Sequence, residues 1–92
     1  MTIDTGAVRA IEEQGRSLLA IGIAGVDGEF DRGSVVALVD PAGQELARGL
    51  TNYDAQTVRR IAGKRSTEIS ELLGGGVPYA EVIHRDNLVL TR

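Results

Sequence analysis

The residue of this chain best suited to acid–base or metal chemistry is its only histidine, His84. Asp86 is the nearest acid and Glu81 the next, so catalysis would need one of these carboxylates to orient the imidazole. Residues 84 and 86 would share one face of a strand, where they could touch. A metal site would need two or three converging carboxylates, because the chain has no cysteine. The pattern therefore favours a structural hydrogen bond over an active site.

The segment Gly28–Ser34 has the glycine spacing of a phosphate-binding loop. Ser34, however, stands where such a loop needs lysine, and Val35 stands where it needs serine or threonine. The segment also leads into a predicted strand, whereas phosphate is bound by the N–H groups at the start of a helix. We therefore predict a turn here.

Four basic residues, Arg59, Arg60, Lys64 and Arg65, form the only cationic cluster. Such a cluster can attract RNA phosphates or an acidic surface of a partner domain. It is more commonly a solvated helix face, and neighbouring helix residues point about 100° apart. The solvated face is the favoured interpretation, and the patch stays an alternative.

Aromatic residues are too few to suggest RNA recognition by base stacking. Phe30, Tyr53 and Tyr79 are the only ones, and a stacking platform needs two or three exposed rings together. Tyr53 precedes a capped helix and is predicted to be a packing anchor. Contact with the backbone of structured RNA stays open, because it depends mainly on shape and charge.

The 92 residues predict one small domain, spanning residues 1–92, with a single core. The net charge of −3 argues against indiscriminate nucleic-acid binding. Residues 1–46 hold eight acids and three bases, whereas residues 47–92 hold seven bases and five acids. No apolar run approaches the ~20 residues that span a bilayer, and no signal peptide is evident. We expect no membrane association and a cytoplasmic location.

Three helices are predicted from capping residues and apolar spacing. The first begins at Asp4 or Thr5 and ends at Gly15, where a left-handed cap is expected. Asp54 caps the second helix and Ser66 the third. Their predicted inward-facing residues are Ala7, Ala10, Ile11, Ala55, Val58, Ile61, Ala62, Ile69, Leu72 and Leu73.

Five short strands are predicted, at Leu18–Ile23, Val35–Val39, Glu45–Leu50, Glu81–Arg85 and Leu88–Leu90. The first is apolar nearly throughout, as a strand buried on both faces would be. A turn at Asp40–Gly43 joins the second and third as a hairpin, and a glycine-rich break is expected at Gly74–Pro78. Leu38, with Leu50 from its hairpin partner, is the predicted core position. The element order indicates an α+β or mostly-β domain on a small curled sheet.

Six segments of the chain carry a resemblance to a known family. They are Asp4–Ala7 (DTGA), Gly15–Leu19 (GRSLL), Gly28–Gly33 (GEFDRG), Ala47–Leu50 (ARGL), Gly49–Gly63 (GLTNYDAQTVRRIAG) and Val82–Leu90 (VIHRDNLVL). Together they resemble the C-terminal PUA domain of bacterial glutamate 5-kinases. They occur in the order of that family and cover almost the whole chain. Arg16 and Ala20 depart from it, where the family usually has lysine and proline.

The resemblance implies a PUA-like pseudo-barrel with short flanking helices. It also implies a parent enzyme that phosphorylates glutamate with ATP and magnesium, the first step of proline biosynthesis. The catalytic, nucleotide and glutamate sites of that family lie in an N-terminal amino-acid-kinase domain without a counterpart here. We therefore expect no enzymatic activity and no cofactor in this chain. Met1 directly before Thr-Ile-Asp indicates an excised piece or a truncated reading frame.

Three roles are consistent with the resemblance. The domain can pack on its kinase domain or on neighbouring subunits and adjust regulation. It can bind RNA, as PUA domains of RNA-modifying enzymes do, or serve as a free-standing protein-interaction module. An RNA-facing surface, implied by the PUA fold, would combine Arg16 and Ser17 with Arg85. Glu12, Glu13 and Asp86 lie close in sequence and would repel phosphate, so we expect weak binding or none.

Overall fold

The computed structural model describes residues 1–74 and 81–92. Most of the predicted glycine-rich break, together with Tyr79, lies outside the described residues. The strands are β1 (Thr2–Ile3), β2 (Ile23–Gly25), β3 (Val35–Val39), β4 (Glu45–Leu50) and β5 (Leu88–Leu90). The helices are α1 (Thr5–Gln14), α2 (Ala55–Ile61) and α3 (Ser66–Leu72).

The five strands form one mixed sheet in the order β2-β1-β3-β4-β5. β1 runs parallel to β3, and the other neighbouring pairs are antiparallel. A single bridge between Leu18 and Ile83 adds a contact outside the named strands. The predicted α+β fold is therefore confirmed, with an open sheet rather than a closed barrel across the described residues.

Helix α1 begins and ends where its caps predict. The Asp4 carboxylate accepts from the backbone N–H of Ala7 at 2.8 Å, which satisfies one of the unpaired donors of the first turn. Gly15 ends the helix with φ 60°, a conformation that side chains other than glycine disfavour. The buried side chain Ile11 holds the helix against the core.

The β3–β4 hairpin is also as predicted. The Asp40 carboxylate accepts from the N–H groups of Ala42 at 3.0 Å and Gln44 at 2.9 Å. Gly43 takes φ 88°, which completes the turn. Both strands have the predicted bounds, so local turn chemistry was sufficient to locate them.

The hairpin register decides which predicted core residue is buried. Leu38 is fully buried, as predicted. Leu50 pairs with Val35 on the opposite face and remains 41% exposed, so its core assignment was wrong. A bulge beside Leu38 leaves Leu46 as an extra residue in β4, and both Leu46 and Ala47 are buried.

The strand predicted at Leu18–Ile23 was wrong as a continuous element. Leu18 bridges to Ile83, Ala20–Gly22 form one turn of 3-10 helix, and β2 begins only at Ile23. The strand predicted at Glu81–Arg85 is likewise reduced to the bridge at Ile83. Arg85–Asn87 then form a second 3-10 turn. Residue composition did not distinguish these tight turns from strands.

Helices α2 and α3 differ in how well their caps were predicted. The Asp54 carboxylate accepts from Thr57 N–H at 2.8 Å, as expected for the cap of α2. For α3 the cap position falls on Arg65, whose N–H donates to the Glu68 carboxylate at 3.3 Å. Ser66 is the first helical residue instead. Ile69 is buried as predicted, but Leu72 is exposed because it lies on the solvent side of the helix.

Arg92 links three separate parts of the fold. Its guanidinium donates to both carboxylate oxygens of Glu12, at 2.9 and 3.1 Å, and to Asp40 Oδ2 at 2.6 Å. These hydrogen bonds lower the pKa of both carboxyl groups and raise the pKa of Arg92. The three side chains thereby join α1, the hairpin turn and the segment after β5.

Candidate functional site

The fold brings Ser17 and Arg85 into direct contact. The Ser17 hydroxyl oxygen accepts from the backbone N–H of Arg85 at 2.8 Å, across 68 positions of sequence. The adjacent bridge between Leu18 and Ile83 holds the two segments together. Arg16 and Arg85 line one shared shallow pocket beside Gly15 and Leu88. The three residues named from the PUA resemblance therefore form one surface, although their role there stays a prediction.

A groove of about 370 Å³ lies next to this surface, between α1 and the chain that leads into β2. Leu19 and Ile21 are 47% and 48% exposed there, and Arg16 and Ser17 supply polar groups. An open, largely apolar groove with a few polar groups is the usual form of a binding site. Leu19 and Ile21 were predicted to lie in a buried strand. The 3-10 turn at Ala20–Gly22 replaces that strand, and both side chains are exposed.

Two of the three acidic residues near this surface contact arginines within the protein, whereas Asp86 is exposed beside His84. Arg92 holds Glu12 through two hydrogen bonds. Glu13 lies 3.7 Å from Arg9 on α1, although both side chains are well exposed and the pair is weak. The repulsion of phosphate expected from Glu12 is consequently reduced by the arginine that the fold places beside it.

Two arginines of the basic cluster at residues 59–65 make contacts within the chain. Arg59 donates to Glu29 at 2.9 Å and also to the carbonyl of Gly28. Arg60 turns toward α3 and donates to the carbonyl of Leu72 at 2.9 Å. Lys64 lies beside a shallow pocket that Glu68 also lines. Both helix arginines thus make contacts within the chain, and the role of the cluster stays a prediction.

His84 takes part in a local turn rather than in a strand face. Its Nδ1 accepts from the N–H of Asp86 at 3.1 Å and lies 3.6 Å from Asp86 Oδ2. The predicted contact is present, but a capping role explains it. Across residues 1–74 and 81–92, no three His, Asp or Glu side chains converge closely enough to hold a metal ion.

The segment Gly28–Ser34 forms turns, as predicted. The Asp31 N–H donates to the Ser34 hydroxyl at 3.2 Å, and Gly33 N–H donates to the carbonyl of Thr51 at 2.8 Å. The chain then enters β3 directly. Of the aromatic residues, Tyr53 is buried as expected for a packing anchor, and Phe30 is partly buried against the core.

Comparisons with known proteins define the class of protein to which this fold belongs. Residues 1–73 match the family model of the PUA domain. A PUA domain from Aeropyrum pernix K1, solved as a tartrate complex, has a TM-score of 0.60 and 30% sequence identity. That match covers 66% of this chain and 35% of the solved one. The chain belongs to the PUA domain family.

Among full-length relatives, the similarity is to glutamate 5-kinases, in their C-terminal region. The chain is 56% identical over 91 residues to the glutamate 5-kinase of Synechococcus sp. (strain JA-2-3B'a(2-13)). It is 58% identical over 88 residues to that of Rhodopirellula baltica (strain DSM 10527 / NCIMB 13988 / SH1). These matches cover 98% and 96% of this chain but 24% and 22% of the relatives. The chain thus spans about a quarter of their length.

None of the described helices is long and apolar enough to cross a membrane.

Proposed function

We propose that this chain is the non-catalytic C-terminal PUA domain of a cytoplasmic glutamate 5-kinase, with residues 1–92 as one domain. Its role is regulatory and structural: it packs on the kinase domain or on a neighbouring subunit and adjusts catalysis there. ATP, magnesium and glutamate would bind in the kinase domain. The observation that carries the proposal is 56% identity across nearly the whole chain to one region of a longer kinase.

The test is a chimeric enzyme. This chain replaces the matching quarter of the Synechococcus glutamate 5-kinase, and that enzyme truncated before the same region is the control. We expect the truncated enzyme to keep phosphotransfer to glutamate and to lose its normal response to the pathway product, proline. The chimera should recover that response. The isolated chain should neither bind ATP at micromolar concentrations nor phosphorylate glutamate.

Two results would contradict this proposal. Specific ATP binding by the isolated chain in calorimetry would place chemistry in the domain itself. A truncated enzyme with unchanged effector response and oligomeric state would leave the domain without the role proposed here.

RNA binding is the second candidate, and the groove beside α1 favours it. Arg16 and Ser17 line that groove, Arg85 lies against Ser17, and the nearby Glu12 is engaged by Arg92. Phosphate contacts of this type position a nucleic acid without reading its sequence. We expect binding to be weak, because the chain carries a net charge of −3.

A mobility-shift titration with a structured RNA at several salt concentrations tests this candidate. Arg16→Ala and Arg85→Ala should weaken any binding and reduce its salt slope by roughly one unit per lost phosphate contact. Lys64→Ala is the matched control and should bind like the wild type. If Lys64→Ala abolishes binding while Arg16→Ala does not, the groove is the wrong surface.

A further inference from the structure

The outer face of the sheet carries exposed apolar side chains where a solvated face would carry polar ones. Val35 of β3 is 65% exposed, Leu50 of β4 is 41% exposed and Val89 of β5 is 66% exposed. Antiparallel sheets that face water usually alternate apolar inward and polar outward residues. We call these three residues the outer patch.

The strand register makes the outer patch contiguous. Val35 pairs directly with Leu50, and Val89 pairs with Arg48, two positions from Leu50 on the same face. Directly opposed side chains lie about 5 Å apart and diagonal ones about 7–8 Å apart. Arg48 borders the patch and donates to the carboxylate of Glu45, so its charge is already paired within β4.

Residue 1 lies beside β3, in line with β1. The Met1 nitrogen donates to the carbonyl of Ala37 at 2.7 Å, and the N–H of Val39 donates to the carbonyl of Met1 at 2.9 Å. Thr2 pairs with Val39 in a parallel ladder. Any polypeptide joined before residue 1 in a longer protein would therefore leave alongside β3, toward its Val35 end.

The size of the patch favours a tethered partner over a free one. Three partly exposed side chains amount to at most a few hundred Å², whereas a stable interface between free proteins buries about 800 Å² on each partner. A domain joined by a short linker is present at an effective concentration of about millimolar, so a smaller contact suffices. A second, untethered copy of this chain gains no such advantage.

We propose that the outer patch is the surface on which the kinase domain of the same polypeptide packs. This inference rests on the proposed function, since it presumes that the chain is joined to a kinase domain. The groove beside Arg16 lies on another part of the fold and stays free for a different ligand.

Cysteine labelling tests the proposal, because the chain has no cysteine of its own. Val89→Cys, in the outer patch, and Leu19→Cys, in the groove, are made in the free chain and in the Synechococcus chimera. Maleimide labelling at each site is followed by peptide mass spectrometry, which separates it from any cysteine of the kinase part. We expect Val89→Cys to react at least about tenfold more slowly in the chimera, because burial limits thiol access. Leu19→Cys should react equally in both proteins.

Three outcomes would overturn the inference. Equal labelling of Val89→Cys in both proteins means that the kinase domain leaves the patch exposed. Protection of Leu19→Cys instead means that the groove is the docking surface. Protection of Val89→Cys that rises with the concentration of the free chain means that a second copy covers it. Effector response in the chimera is scored separately, so a failed patch and a failed regulatory role give different results.

Discussion

Gly49 is the most crowded of the described glycines, so Gly49→Ala is a sharp test of the fold. Gly49 lies in β4 between β3 and β5, paired with Val36 and Leu88. An alanine Cβ there would lie 2.7 Å from the carbonyl oxygen of Asn87 and 2.7 Å from Ile83 Cγ2. The first contact is with backbone, which cannot move aside without displacing β5.

The expected loss of folding stability in the Gly49→Ala protein combines two opposing effects. Overpacking a tight site costs roughly 1–3 kcal/mol, and removing glycine from the unfolded chain stabilises by about 0.4–1 kcal/mol. The net destabilisation is therefore about 0–2.6 kcal/mol, and about 1.3 kcal/mol at the midpoints of the two ranges. In a domain of this size, each kcal/mol lowers the Tm by about 4–8 °C.

Urea and thermal unfolding followed by far-UV circular dichroism measures the effect, since the chain has no tryptophan for fluorescence. Gly25→Ala in β2 is the matched control, because the nearest atom to its added Cβ is Thr2 Cβ at 4.0 Å. That variant should keep the wild-type stability or gain up to about 1 kcal/mol. A Gly49→Ala protein more stable than the wild type, as the Gly25→Ala control can be, would refute the close approach of β5 to β4.

Two further predictions concern the core and the Arg92 contacts. Leu38→Ala should cost about 2–5 kcal/mol in urea unfolding, whereas Leu50→Ala in the free chain should stay within about 0.5 kcal/mol of the wild type. Equal losses would contradict the register. Because Arg92 depresses the pKa of Glu12 and Asp40, their stabilisation is present above the ordinary carboxyl pKa and is lost as pH falls. Between about pH 6 and about pH 3, the Arg92→Gln protein should therefore lose less stability than the wild type. If the free energy of unfolding falls equally with pH in both proteins, the result counts against the contacts of Arg92 with Glu12 and Asp40.

Local sequence signals were sufficient to predict much of the secondary structure. The caps at Asp4 and Asp54 and the hairpin turn at Asp40–Gly43 act within a few residues, so their donors and acceptors can be read directly from the chain. The secondary-structure prediction failed where an apolar run could adopt more than one geometry. The run Leu18–Ile23 is one example, since a 3-10 turn and a strand share the same composition.

The candidate surface was anticipated only through resemblance, because no local rule connects Ser17 with Arg85 across 68 positions. Residue types in short segments were sufficient to predict the caps, the hairpin and the similarity to PUA domains. The packed sheet was needed to distinguish buried Leu38 from exposed Leu50, because either face of a strand can be buried until its register and neighbours are fixed. The tertiary structure was likewise needed to show that Arg92 pairs with Glu12 and Asp40, since long-range contacts arise from chain topology rather than from sequence spacing.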